Sequence, residues 1–423
     1  MDYARVVVIG GGFAGLNVAK SLKKAKVQLT LLDKSNHHLF QPLLYQVATA
    51  ALSPAEIAYP IREVFRRQKN AMVVMGDATS IDKENKRVIL GNGDFIEYDY
   101  LVIATGARHS YFGNDHWERL APGLKTISDA LKIREHVLMS FEKAERINDL
   151  EESSKYLNFV IIGGGPTGVE MAGAIAEIAK TTLSGNFRRI LPEDSRIFLI
   201  EGLPHILPVY SEKLSLSAKK DLEHLGVQVI TGKKVTDITE EGVLVEDLFI
   251  ESKNVIWAAG NQASPLLKTL DVPLDRQGRA IVNSDLTIPN HPEIFVIGDA
   301  THAKDIDGNP LPGTATVAIQ QGRYVANILR DLIPQPERLP FRYFDKGSMA
   351  TIGKGKAIAA IGSLEFTGLL AWLMWGLIHV AYLIGFRTKL GVLSEWIIVF
   401  FTGQRGVRII TKNIEPELPN KNP

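Results

Sequence analysis

The chain has 423 residues, 45% of them hydrophobic and 22% charged, and a formal net charge of +1. That length suits two or three folded domains, and the composition excludes disordered and fibrous classes, while near-neutral charge without a long basic tract argues against nucleic acid as a partner. Cysteine is absent, which removes disulfide frameworks, thiolate metal sites, iron–sulfur clusters and redox-active C-x-x-C pairs, so any electron chemistry must run through a bound organic cofactor.

Arg5 to Ile9 reads as a buried parallel strand. It begins so close to Met1 that no secretory signal is expected, and the amino-terminal domain is expected in the cytosolic compartment. The strand breaks into VVVIGGGFAGL, a G-x-G-x-x-G between a strand and a helix read from Ala14 to Lys24. In that fingerprint Gly10 allows the tight turn, Gly12 lets the backbone approach a pyrophosphate, and Gly15 lets helix and strand pack closely; the helix N-terminus then favours the phosphates. A second strand, Gln28 to Leu32, ends at Asp33, where a carboxylate can accept hydrogen bonds from a ribose. The alternative is an ordinary glycine-rich β-to-α turn. Further strand patterns precede GDATSID (Met72 to Met75) and end in ATGA (Tyr100 to Ala104). From 113 to 156 the pattern is helical and charged, as in a crossover between domains.

The second half repeats the first. Asn158 to Ile162 leads into FVIIGGGPTGVE, where Gly163, Gly165 and Gly168 take the same three roles, then a helix from about Thr167 to Thr181 and, after an insertion, a strand Arg196 to Ile200 ending at Glu201. NVIWAAG later mirrors LVIATG. Two such fingerprints suggest two dinucleotides held face to face, an arrangement that passes hydride from a soluble cofactor to a bound one. Glu201 would repel a 2′-phosphate, favouring NADH over NADPH unless Arg188, Arg189 or Arg196 folds back to it. Glu170 has two readings: a first-turn acid complementing the helix dipole, or a carboxylate beside nicotinamide and flavin rings.

Ile294 to Ile297 ends at Gly298 and Asp299, which suit a carboxylate on a ribityl hydroxyl, and a helix from Ala315 to Leu329 would aim its positive end at the pyrimidine edge of a flavin. Gln320 and Gln321 on it read either as contacts or as surface residues. The loop carrying Asp305, Asp307 and Asn309 lacks the length and terminal Glu of a calcium loop and reads as a solvated turn. His37, His38, His302 and His379 show no metal spacing, no nucleophile motif occurs, and no metal site is expected. Past Pro340 the composition changes: Gly368 to Phe386 carries no charged side chain, and Val392 to Phe401 is apolar too. The tail could span a bilayer, bury in a core or dimer, or lie in the interface. The last reading puts Trp372, Trp375, Tyr382 and Trp396 at the headgroups and turns Arg387, Lys389 and Arg405 toward anionic lipid, with Arg408 and Lys412 following. Three glycines and the short second stretch favour it.

These motifs, together with LLDKSNHHLFQPLLYQVATAALSPAEIAYPIR, YDYLVIATGA, IFVIGDAT and VAIQQGRYVA, resemble the type II NADH:quinone oxidoreductases over nearly the whole chain. The resemblance implies FAD held by Gly10, Gly11, Gly12, Phe13, Ala14, Gly15, Asp33, Lys34, Ala78, Thr105, Gly106, Gly298 and Asp299. It implies NADH held by Gly163, Gly164, Gly165, Pro166, Thr167, Gly168, Glu201 and Gly260. Glu170 matches a glutamate that assists charge and proton movement between the two sites. The family often carries A-Q-x-A-x-Q on the late helix; here Thr316 replaces the first glutamine, while Ala318 and Gln320 fit, with Gln320 as a flavin or quinone contact. The implied fold is α/β, two Rossmann-like dinucleotide-binding domains of the disulfide-reductase type plus a C-terminal membrane-associating helical segment. Residues 1–112 and 285–340 would bind FAD, 113–284 NADH, and 341–423 the membrane. The implied activity is FAD-dependent oxidation of NADH with two-electron reduction of a membrane quinone, without proton pumping, by a peripheral protein of the cytoplasmic face, with homodimerisation left open. Its competitors are an NADH-dependent reductase of a small redox protein and a low-turnover flavin-binding signalling protein. If the tail is only an anchor, removing residues 366 onward should release the protein from the membrane and spare reduction of a short-chain quinone.

Overall fold

A computed structural model describes residues 3–411, so Lys412 lies outside the described residues. The first half runs β1 (Ala4–Ile9), α1 (Phe13–Ser21), β2 (Val27–Asp33), α2 (Leu44–Ala48), β3 (Ala71–Met75) and β4 (Tyr100–Ile103). The long helix α3 (Ile127–Arg146) leads to β5 (Asn158–Ile162), α4 (Pro166–Glu177), β6 (Arg196–Glu201), β7 (Val227–Thr231) and β8 (Asn254–Trp257). The chain then returns through β9 (His291–Val296) and α5 (Ala315–Asp331) and closes with α6 (Gly368–Tyr382) and α7 (Phe386–Thr402).

Two parallel sheets organise these elements. In the first, β9, β4, β1, β2 and β3 lie side by side, with the short Thr287–Ile288 strand antiparallel at the edge. In the second the order is β7, β6, β5, β8. Val6, Val7 and Val8, like Phe159, Val160 and Ile161, are buried without alternation, because a parallel sheet is covered on both faces. An antiparallel pair, Ala107–His109 with Asn261–Ala263, ties the two halves together. The fold is thus the α/β disulfide-reductase type, with a first sheet completed by a strand from late in the chain. Helix α1 stops earlier than its apolar pattern suggests, at Ser21, because Lys23 and Lys24 fall in an exposed turn.

The region after 340 holds more than helices. A three-stranded antiparallel sheet (Ser348–Gly353, Lys356–Ile361, Leu364–Thr367) rests on α4, where a Cβ at Gly173 would stand 1.8 Å from the Ile352 carbonyl oxygen. Only glycine allows that approach. Helices α6 and α7 follow, and among the described residues no helix is long and apolar enough to cross a membrane. Leu373, Leu377, Phe386, Leu390, Ile397 and Phe401 form their exposed apolar side.

The inward side corrects the tail reading. Trp375 is 2% exposed and stacks on His379 and Trp396, and Trp396 donates to Gln46, so these two indoles pack inward rather than at headgroup level. Arg405 does not face lipid. Its guanidinium is buried, donating to the Thr49 carbonyl at 2.7 Å and to Glu177 at 2.8 Å, since a charge lodged against the core needs a carboxylate partner.

Candidate active site

Both glycine loops are built alike. Gly10 (φ +105°) and Gly163 (φ +110°) adopt left-handed backbone, and a Cβ there would stand 2.3 Å from the Ala104 oxygen and 2.7 Å from the Ala259 nitrogen. At Gly15 and Gly168 a Cβ would lie 1.9 Å and 1.8 Å from the carbonyl oxygens of Gly10 and Gly163. Gly12 and Gly165 instead face open space. They are the N-caps of α1 and α4, with no side-chain cap, so the first-turn N–H groups of both helices are offered to a ligand.

A carboxylate closes each loop. Asp33, at the end of β2, accepts from the Gly11 N–H at 2.5 Å and from Ser35, while Glu201, at the end of β6, accepts from Gly164 at 2.6 Å and Leu203 at 2.8 Å. Each is thereby aimed beside its glycine cradle. The three arginines stay away from Glu201: Arg188 turns to the Gly185 carbonyl, Arg189 to Asn148, and Arg196 lies over the Phe198 ring. His38, which shows no metal spacing, has a structural role, bonding the Gly11 carbonyl of the first loop at 2.9 Å through Nδ1. Lys34 is exposed at the strand end, and Ala78 begins the short strand Ala78–Asp82. Among the described residues no group of three or more His, Asp or Glu side chains is placed to hold a metal ion.

Between the halves lies a cleft of about 140 Å³ lined by Ala107, Gln262, Arg279, Gly298, Asp299 and Gln321. Gln321 accepts the Gly298 N–H at 2.7 Å, yet its Nε2 is buried without a partner, as is the Thr105 Oγ1. Two open cradles and two aimed carboxylates fit a dinucleotide in each half, and the two orphaned buried polar atoms lie on the side of the first loop and the cleft. Helix α5 reads differently from expectation along its length. Val317 and Gln321 line the cleft, whereas Thr316 and Gln320 turn to the incoming tail: Thr316 bonds the Tyr343 hydroxyl, and Gln320 both donates to and accepts from the Phe344 backbone. Gln320 therefore lines neither cavity; a one-residue step puts Gln321 there.

Glu170 opens on a second cavity, of about 330 Å³, between α4 and the tail. Trp372, Trp375, Trp396 and Phe400 wall it on the tail side, and Tyr45, Gln46 and Glu177 on the other. Burial pushes the Glu170 carboxyl well above the usual carboxylate range. The tail walls this cavity, so removing residues 366 onward would strip its aromatic side as well as the helices read as an anchor.

A model of the pyridine nucleotide-disulphide oxidoreductase family matches residues 4–322, and one of the NDH2 C-terminal domain matches residues 346–405. Over 422 residues the chain is 46% identical to the type II NADH:quinone oxidoreductase Ndh of Mycobacterium tuberculosis, covering 96% of this chain and 90% of that one. With NdhA of the same organism, also named a type II NADH:quinone oxidoreductase, it shares 43% over 427 residues, covering 97% and 90%. Among solved structures, NDH2 from Plasmodium falciparum in complex with NADH superposes with a TM-score of 0.87 at 22% identity, covering 96% of this chain and 99% of that one, a likeness of fold. With paired nucleotide cradles in one chain and this identity across nearly its whole length, the protein belongs to the type II NADH:quinone oxidoreductases.

Proposed function

We propose that this protein oxidises NADH through bound FAD and reduces a membrane quinone by two electrons without pumping protons. The observation that carries the reading is the duplicated cradle, open at Gly12 and again at Gly165, each beside its own carboxylate. FAD, when bound, supplies a carrier that takes hydride from NADH and releases electrons to quinone. Gly10 to Gly15, Asp33, Lys34, Ala78, Thr105, Gly106, Gly298 and Asp299 would hold it, within a domain formed by 1–112 and 285–340; on α5 Ala318 lies beside Gly298, whereas Thr316 turns to Tyr343 and is not carried over as a contact. Residues 163–168, Glu201 and Gly260 hold NADH in a domain of 113–284. Glu170 stands at the wall of the tail cavity, where burial favours the protonated carboxyl, the form that could pass a proton to a product that takes one up. Gln320, through the Phe344 backbone, fixes the segment that leads into the tail.

The exposed apolar side of α6 and α7 supports peripheral attachment to the cytoplasmic face of a membrane, with Arg387 and Lys389 beside it. Quinone resides in the bilayer and NADH in the aqueous phase, and a protein lying in the interface reaches both. Anaerobic addition of NADH should bleach the flavin bands, and a short-chain quinone should restore them at a rate matching steady-state turnover. Slow restoration by every quinone tested, against fast restoration by a small redox protein, would replace quinone as the acceptor. Glu201→Ser should raise kcat/KM for NADPH relative to NADH by roughly tenfold, since the repelling carboxylate is gone and no arginine stands nearby to supply more. An unchanged ratio would remove Glu201 from the ribose site.

A further inference from the structure

The wall of the tail cavity contains a hydrogen-bond chain with a fixed direction. Trp396 Nε1 lies 2.7 Å from Gln46 Oε1, and Gln46 Nε2 lies 2.8 Å from the Tyr45 hydroxyl. An indole nitrogen can only donate, so the Gln46 atom facing it must be the carbonyl oxygen, and the amide cannot be turned round. The Gln46 NH₂ therefore donates to the Tyr45 oxygen. The phenol proton is left over, and among the described residues nothing accepts it.

Tyr45 is 7% exposed and lines the cavity, so this unspent donor sits away from bulk water, where an unpaired hydroxyl is costly. Each bond in such a chain polarises the next, which makes the last O–H a better donor than an isolated phenol. The cavity around it is aromatic on the tail side, and its volume of about 330 Å³ falls in the range of small-molecule sites. What the cavity lacks is an acceptor on a flat, mostly apolar ligand.

We propose that Tyr45 donates its hydrogen bond to a carbonyl oxygen of the quinone, whose ring occupies this cavity against the aromatic tail wall, with Gln46 and Trp396 as positioning residues. The inference rests on quinone being the electron acceptor. Burial and the neighbouring Glu170 push the Tyr45 phenol well above its ordinary pKa, so Tyr45 stays protonated throughout. Reduction of quinone to hydroquinone consumes two electrons and two protons; Tyr45 polarises the carbonyl and neither gains nor loses a proton in the step.

The test uses menadione and 2-methylnaphthalene, the same bicycle without carbonyls, each titrated calorimetrically into the oxidised holoenzyme. Tyr45→Phe should raise the Kd and KM for menadione about tenfold, because the site loses its donor to the carbonyl. Binding of 2-methylnaphthalene and the rate of flavin reduction by NADH should not change. Trp396→Phe frees the Gln46 amide to turn and should raise the menadione constants by roughly threefold. Unchanged menadione affinity in Tyr45→Phe, or equal weakening of both ligands, overturns the proposal, and a Trp396→Phe protein identical to wild type overturns the orienting chain. A wild-type holoenzyme that NADH reduces and menadione fails to reoxidise would instead overturn the proposed function.

Discussion

Gly15→Val is expected to yield a protein purified without flavin. A Cβ at this position would lie 1.9 Å from the Gly10 carbonyl oxygen, and both atoms belong to backbone at the junction of strand, loop and helix. Neither can rotate aside, so α1 must move off β1 and carry its first-turn N–H groups away from the pyrophosphate. The matching change in the second half, Gly168→Val, meets the Gly163 oxygen at 1.8 Å but leaves the first loop untouched. That protein should stay yellow while losing reduction by NADH by about a hundredfold or more, the scale on which losing several charge-assisted phosphate contacts operates. The flavin-to-protein absorbance ratio and the anaerobic bleaching rate read the two effects separately, and circular dichroism distinguishes either from global unfolding. Wild-type flavin content in Gly15→Val would mean that FAD is not held by the first loop.

Arg405→Met is the second large effect. The Arg405 and Glu177 side chains are 4% and 23% exposed and meet at 2.8 Å, with the second guanidinium arm on the Thr49 carbonyl. Methionine retains the stem's packing but leaves the half-buried Glu177 without its cation; breaking a fully buried pair costs about 3–5 kcal/mol, and the partial exposure of Glu177 places this loss below that range. The loss should appear as faster amide exchange and proteolysis in the 403–411 segment and α7, because Arg408 and Gly403 fasten that segment to Thr182 on the same side. Adding Glu177→Gln to Arg405→Met should recover part of the stability, since a neutral amide still accepts the Lys354 N–H that Glu177 holds at 2.6 Å. A double variant worse than the single would show that the guanidinium acts by packing, not by pairing.

Much of the nucleotide machinery was legible because it is local. A strand, three glycines, a helix and a terminal acid fall within a short stretch, and each residue has a steric or electrostatic reason that one chain segment can satisfy alone; Gly10, Gly15, Gly163 and Gly168 occupy the roles read for them. The positions of Asp33 and Glu201 beside their loops follow from the same register. The helix α5 motif was less legible. Its register along the chain is plain, but which face meets the cleft depends on how the helix is rotated, and packing against α1 gave Gln321 the cleft and Gln320 the segment leading into the tail.

The tail shows most clearly where local information ends. Its apolar residues announce burial or lipid without saying which side chain meets which. Trp396 bonds Gln46 across 350 residues of chain and Arg405 bonds Thr49 across 356, and nothing in their neighbours predicts either contact. Two glycine loops, their acids and an apolar carboxyl-terminal pair of helices were thus determined by the sequence itself, since each is announced by a residue pattern within one strand–helix–strand unit or one helix. The cavity under the tail, the ion pair that fastens it, and the direction of the bonds reaching Tyr45 were decided only by tertiary structure, because donors and acceptors from both ends of the chain acquire partners only when folding brings them within bonding distance.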